Sequence, residues 1–150
     1  MKKVILYCVC CAIIVVIAQI IFRSYFLNNV NFEVTVGFNE QAYPEYTDKI
    51  MGFGGKIVNN AVLPIKIKSI EPLDGRGIEY ITTTITEWGA SEISKEELLK
   101  KEILEDKVLG PFSEYSIGCF YKFTGVYMVN PDVYEIRYSV LGIEFSKIIY

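Results

Sequence analysis

Hydrophobic positions follow two different rhythms along this chain. From Val4 to Phe22, nineteen residues run without a formal charge, and Gln19 is the one strongly polar side chain among them. At about 1.5 Å per residue such a helix reaches roughly 28 Å, close to the ~30 Å hydrocarbon core of a bilayer. Beyond residue 30 the rhythm changes to period two. Phe32, Val34, Val36 and Phe38 alternate with Glu33, Thr35 and Gly37; Leu63, Ile65 and Ile67 alternate with Pro64, Lys66 and Lys68. Ile78–Thr86 is rich in β-branched residues, Tyr134, Ile136, Tyr138 and Val140 alternate with Glu135, Arg137 and Ser139, and Ile143 and Phe145 begin a last strand running toward Tyr150. Alternation of this kind predicts strands with one buried and one wet face.

Turn chemistry falls between these runs, at Asn59-Asn60, at Asp74-Gly75-Arg76-Gly77, at Asn130-Pro131-Asp132 and at Leu141-Gly142, which predicts a tight terminal hairpin. One segment departs from the strand rhythm. Ser94-Lys95-Glu96-Glu97 reads as a capping box with Ser94 as N-cap, and a short helix is predicted over 94–106 with Leu99 and Ile103 four apart on its apolar side. The predicted architecture is a mainly β, antiparallel two-sheet sandwich of seven or eight strands with one short connecting helix, preceded by one transmembrane helix. Residues 1–23 form the anchor in this reading, 24–30 a juxtamembrane linker and 31–150 the sandwich, with Val4 and Phe22 limiting the span.

The apolar run has a competing reading as a cleaved signal peptide, with Val16-Ile17-Ala18 before Gln19 as the cleavage site, which would release the domain as a secreted protein. Against cleavage, the run continues through Ile20, Ile21 and Phe22, and no Gly or Pro interrupts it. Lys2 and Lys3 precede the span, whereas Arg23 is the nearest basic residue after it, so the positive-inside rule puts the amino terminus in the cytoplasm and the body outside. Tyr25, Phe26 and Phe22 then fall at the far interface.

Charge and composition narrow the partners. All 18 acidic residues and 13 of the 15 basic ones follow residue 22, giving that part a net charge of −5 without a basic stripe for nucleic acid. Histidine is absent, which removes imidazole-based triads and imidazole metal ligands. Three of the four cysteines, Cys8, Cys10 and Cys11, lie in the span as small apolar residues, with acylation or a dimer bridge as the functional alternative. Cys119 stands alone in the body, so no intradomain disulfide is available, and the alternation of Tyr115, Ile117, Cys119, Tyr121 and Phe123 turns its thiol inward although Phe120 breaks the pattern.

Candidate chemistry is sparse. Carboxylates occur at Glu71 and Asp74, at Glu87 and Glu92, and along Glu96, Glu97, Glu102, Glu105 and Asp106, where Glu96–Lys100 and Glu97–Lys101 spacing suits a solvated helix face. Asp74–Gly77 lacks the alternating oxygen ligands of a calcium loop, and Gly52-Phe53-Gly54-Gly55 lacks the Gly-Lys-Ser/Thr ending of a phosphate loop. No catalytic residue, cofactor or metal site is expected. The segment Tyr43-Pro44-Glu45-Tyr46 is the candidate recognition loop, because tyrosines offer large contact area at small entropic cost.

Gly55-Lys56-Ile57-Val58-Asn59-Asn60 followed by Pro64–Pro72 resembles an early strand pair in immunoglobulin-like domains of small exported bacterial single-pass proteins, and Pro131–Tyr138 with Gly142–Phe145 resembles their closing hairpin. The resemblance implies an immunoglobulin-like form of the sandwich and its export, with Tyr134 at a tyrosine-corner position; it implies no active-site residues. The expected function is a membrane-anchored extracytoplasmic binding, scaffold or accessory module without catalysis. It would contact the bilayer through its helix and a protein or envelope partner through a strand edge or the tyrosine loop. A carboxylate-dependent envelope hydrolase or transferase, and an inhibitor or immunity-type protein, are the alternatives.

Overall fold

The computed structural model describes residues 2–34, 41–42, 47–85, 91–125, 127–128, 131 and 133–150. Helix α1 (Lys2–Asn29) is long and apolar enough to cross a membrane, and from Val4 to Ile20 its side chains are exposed. The helix does not stop at residue 23. Where a linker was expected over 24–30, it continues to Asn29 and passes directly into β1 (Val30–Val34). The cause is tertiary: Phe26 is buried, and Phe22 and Leu27 pack beside it against the core, so this turn is held by the sandwich and not released into solvent. Asn29 closes the last turn, its Nδ2 donating to the Tyr25 carbonyl at 2.8 Å.

Two antiparallel sheets follow. The first runs β1–β3 (Ile50–Asn59)–β8 (Ser113–Phe123)–β5 (Ile78–Ile85), with β6 (Ser91–Ile93) sharing the β3 edge with β1. The second runs β11 (Ile143–Ile149)–β10 (Tyr134–Val140)–β4 (Ile65–Pro72)–β7 (Val108–Leu109), and β2 (Gln41–Ala42) pairs separately with β9 (Tyr127–Met128). Among the described residues, seven strands have five or more residues; four are pieces of two or three. Inward residues of the two sheets, among them Phe53, Ile57, Ile117 and Phe123 facing Ile67, Ile136, Tyr138 and Val140, form one core. Each such side chain contributes about 1.5–3 kcal/mol by leaving water.

Two bulges adjust the alternation. On β4, Arg137 faces Ser69 and Tyr138 faces Ile67, so Lys68 is the extra residue and the inward series becomes Ile65, Ile67, Ile70. On β5 the register skips Ile81, which lets Tyr80 and Thr83 both pack inward, Thr83 opposite Cys119. The β10–β11 turn has positive φ at both Leu141 (51°) and Gly142 (80°), the two-residue hairpin geometry in which Asn-Gly is the favoured pair. A leucine there costs about 1–2 kcal/mol of backbone strain.

The predicted helix over 94–106 is shorter. Helix α2 spans Lys95–Leu98, and the capping box forms as expected, Ser94 Oγ accepting from Glu97 N while Ser94 N donates to the Glu97 carboxylate. The apolar assignment is reversed: Leu98 and Leu104 are buried, whereas Leu99 and Ile103 are exposed. Backbone pairing to the sheets ends the helix. Ile85 N donates to Glu102 O and Leu104 N to Thr83 O; the chain then crosses to β4, where Asp106 N donates to Ile67 O. A helix through these residues would forfeit those edge hydrogen bonds.

The sandwich has two distinct ends. At the helix end, Asn59 is fully buried and ties the β3–β4 and β7–β8 connections together: its Nδ2 donates to Leu63 O (3.0 Å) and Gly110 O (2.8 Å), and its Oδ1 accepts from Ala61 N (3.0 Å). The β10–β11 turn lies at this end too. The β4–β5 turn, with Gly75 and Gly77 at positive φ, and the Thr47–Lys49 approach to β3 lie at the far end.

Candidate functional site

At the helix end, α1 is locked to the sandwich by aromatic packing and by hydrogen bonds to its backbone. Phe22 and Phe26 rings are 4.8 Å apart, both pack against Phe145 (6.1 and 5.8 Å), and Tyr138 stacks on Phe145 at 5.2 Å and 7°. The buried Tyr138 hydroxyl donates to Phe26 O at 2.9 Å, bridging β10 to the helix, and burial pushes this phenol above its usual value. Asn60 N donates to Asn29 O (2.8 Å), and Val62 N to the Tyr25 hydroxyl (3.2 Å). From β11, Lys147 Nζ donates to Val30 O (2.6 Å) and Asn31 Oδ1 (3.2 Å), and desolvation lowers its pKa. Arg23 lies 5.8 Å from the Phe145 ring centroid, within cation–π range. Of the two span limits, Val4 is exposed, while Phe22 is where helix and domain meet.

The far end carries a groove of about 610 Å³ beside the β6–α2 excursion. Its floor explains Phe120. This residue points to the outer face of the first sheet and is buried there by Ile93 and Leu98, with Ile50 packed against them. Lys49, Glu92, Glu79, Ile81, Leu99 and Lys122 are among the residues that line the groove. Lys49 pairs with Glu92 at 2.8 Å and Lys122 with Asp48 at 3.2 Å, so charge of both signs borders an apolar floor. The candidate loop Tyr43, Pro44, Glu45 and Tyr46 lies outside the described residues; its described neighbour Asp48 is tied to β8 by Asp48 N donating to Phe123 O at 2.8 Å. The one sequence signal for the groove was Phe120, an aromatic residue on the face expected to be wet.

Between the two ends runs a buried polar seam. Tyr121 and Tyr134 hydroxyls are 2.8 Å apart, so the tyrosine expected at a corner position pairs with another tyrosine across the sheets. Tyr80 Oη lies 2.9 Å from Thr83 Oγ1, which donates to Cys119 Sγ at 3.5 Å. Burial pushes the Cys119 thiol up to about 11 and the Tyr80 and Tyr121 phenols above their usual range, which keeps all three protonated near neutrality. A protonated, fully buried thiol is a packing group and a poor nucleophile.

Five of the candidate carboxylates, Asp74, Glu92, Glu97, Glu102 and Asp106, serve local structure. Asp74 accepts from Val133 N at 3.0 Å, and Asp106 sits between Lys66 (2.9 Å) and Lys68 (3.3 Å), which hold it below the usual carboxylate range. Glu97 caps α2, Glu102 pairs with Lys107, Glu92 pairs with Lys49, and Glu87 lies outside the described residues. The glycines of 52–55 sit inside β3, Gly54 facing Gly118 of β8, and do not form a phosphate cradle. Among the described residues, no group of three or more Cys, Asp or Glu side chains is gathered to hold a metal ion.

No protein-family model matches the chain, and no curated protein matches it. Among solved structures it is similar to the GAE domain of GGA2p from Saccharomyces cerevisiae, with a TM-score of 0.40 and 8% sequence identity, covering 80% of this chain and 85% of that one. What can be said of its function therefore rests on this chain's own geometry: a two-sheet β body carrying an apolar amino-terminal helix, without a metal cluster among the described residues.

Proposed function

We propose that this protein is a membrane-anchored, non-catalytic binding or scaffold module of immunoglobulin-like type. Its amino terminus is cytoplasmic, and its extracytoplasmic sandwich presents the far-end groove to a protein or envelope partner. The observation that carries this reading is the linker-free joint: a helix of membrane-spanning length enters the core at Phe26 and is hydrogen-bonded there by Tyr138. Such a joint holds the body at a fixed height and orientation, which suits a post for binding. The strand order β1–β3–β8–β5 opposite β11–β10–β4 supports the immunoglobulin-like assignment, since it follows the ABED and GFC order of that fold. Lys2 and Lys3 before the span support the orientation.

The test is site-specific photo-crosslinking of the full-length protein in intact cells. A photoreactive residue at the exposed groove position Leu99 should give one discrete protein or envelope adduct, and one at Glu114, on the outer face of β8 near the helix end, should give none. The body should also be cleaved by protease added outside the cells. No adduct from Leu99, or equal labelling from both positions, overturns the binding role; protection of the body overturns the orientation.

A further inference from the structure

The β10–β11 turn does not stop at the level where the helix leaves its apolar stretch. Leu141 and Ile143 share a cleft of about 570 Å³ with Val15, Ala18, Gln19 and Phe22 of α1, residues spaced three or four apart and therefore on one helix face. Most of that face lies before Arg23, inside the uncharged run from Val4 to Phe22. From Phe22 back to Val15 is about 10 Å along the helix. The joint at Phe26, Tyr138 and Phe145 fixes this placement, so the turn must share whatever medium surrounds that part of α1.

We propose that the Leu141–Ile143 tip is a second membrane contact, buried among lipid acyl chains beside α1, with the chains filling the cleft. This rests on the anchoring reading above. The length of the span argues for it. If the tip stayed in water, the bilayer could accept only Val4–Ile14, about 16 Å of helix, roughly half of the ~30 Å hydrocarbon thickness. With the tip immersed, the whole run to Phe22 is available. Side-chain choice argues the same way. Leu141 is 76% exposed and Ile143 42%, and Leu141 occupies a left-handed position where Asn or Gly would suit water. The turns beside it at this end carry two more exposed apolar residues, Val62 and Phe112, the latter also at positive φ. Arg23, which also lines the cleft and directly follows the uncharged run, would then lie at the level of the headgroup phosphates.

Full-length protein carrying Trp88→Phe, reconstituted in phosphatidylethanolamine–phosphatidylglycerol vesicles, tests this with a single new tryptophan at Leu141→Trp, at Ile143→Trp on the extended strand, or at Leu73→Trp on the far end. Flotation with the vesicles reports the anchor independently of the tip. The expected result is flotation of all three, with blue-shifted emission quenched by acyl-brominated lipid for the Leu141 and Ile143 variants and unquenched, water-like emission for Leu73→Trp. Flotation with unquenched tip tryptophans overturns this inference and leaves the anchor standing. Failure to float overturns both.

Discussion

The two ends of the sandwich are built on different terms. At the helix end, the apolar contacts belong to the main core, and buried or half-buried polar contacts join segments far apart in sequence: Tyr138 to Phe26, Lys147 to Val30, Asn59 to Gly110. At the far end the main core continues through Phe123 and Tyr134, and a separate satellite of Ile93, Leu98 and Phe120 packs outside the first sheet. Around that satellite the polar contacts are a local capping box and an ion pair, Lys49–Glu92, whose side chains are 40% and 52% exposed. Exposed pairs of that kind contribute about 0–1 kcal/mol. The difference teaches where contacts concentrate: buried long-range hydrogen bonds and aromatic packing fix the body to its helix, whereas the groove is bordered by an exposed ion pair and a small apolar satellite.

The widest gap between the ends should appear on truncating one aromatic or aliphatic anchor at each. Phe26→Ala removes a fully buried ring and should cost about 3–5 kcal/mol in denaturant unfolding of the detergent-solubilised protein. Leu98→Ala, in the satellite, should cost no more than about 2 kcal/mol, because the excursion can settle onto the sheet. Equal losses would break the comparison.

Next in size is an alkaline effect confined to the interior. Cys119 binds its proton more tightly folded than unfolded, so its contribution is complete below its usual value near 9 and is lost as pH rises through about 11. Tyr80, Tyr121 and Tyr138 are raised in the same sense, so they add to the loss once pH passes 10. Unfolding midpoints followed from pH 8 to 11 should fall, and Cys119→Ala should make the fall above pH 9 shallower by about 1.4 kcal/mol per pH unit for the single proton removed. An unchanged slope would mean that the thiol is hydrated in the folded protein.

The smallest expected effect is at the cap. Ser94→Ala removes both its side-chain hydrogen bonds to Glu97 and should cost about 1 kcal/mol. Amide exchange should accelerate over 94–100 and stay unchanged at Phe26 and Tyr138. Acceleration at both ends would show that the excursion and the joint unfold as one unit.

Much of this was legible residue by residue. The uncharged run from Val4 to Phe22 announces its helix by length, and β10 announces itself by alternation from Tyr134 to Val140. Ser94 and Glu97 announce the cap, whose partners lie three residues apart. Harder cases share one property, that the deciding contact is distant in sequence. Leu98 and Leu99 are adjacent and equally apolar, yet Phe120, on another strand, buries one and leaves the other in the groove. Residues 24–29 resemble a polar-flanked linker until Phe145 and Tyr138 are beside them. The bulges at Lys68 and Ile81 are invisible in a pattern that counts by twos.

The amino-acid sequence alone determined the membrane-length helix, the long strands, the tight hairpin and the short cap, because each depends on neighbours within a few positions. Tertiary structure alone decided that the helix is welded to the body, that the hairpin tip lies alongside Val15–Phe22, and that the far end bears a groove. Those outcomes follow from which buried surfaces meet, and alternation specifies the side a residue faces without specifying what covers it.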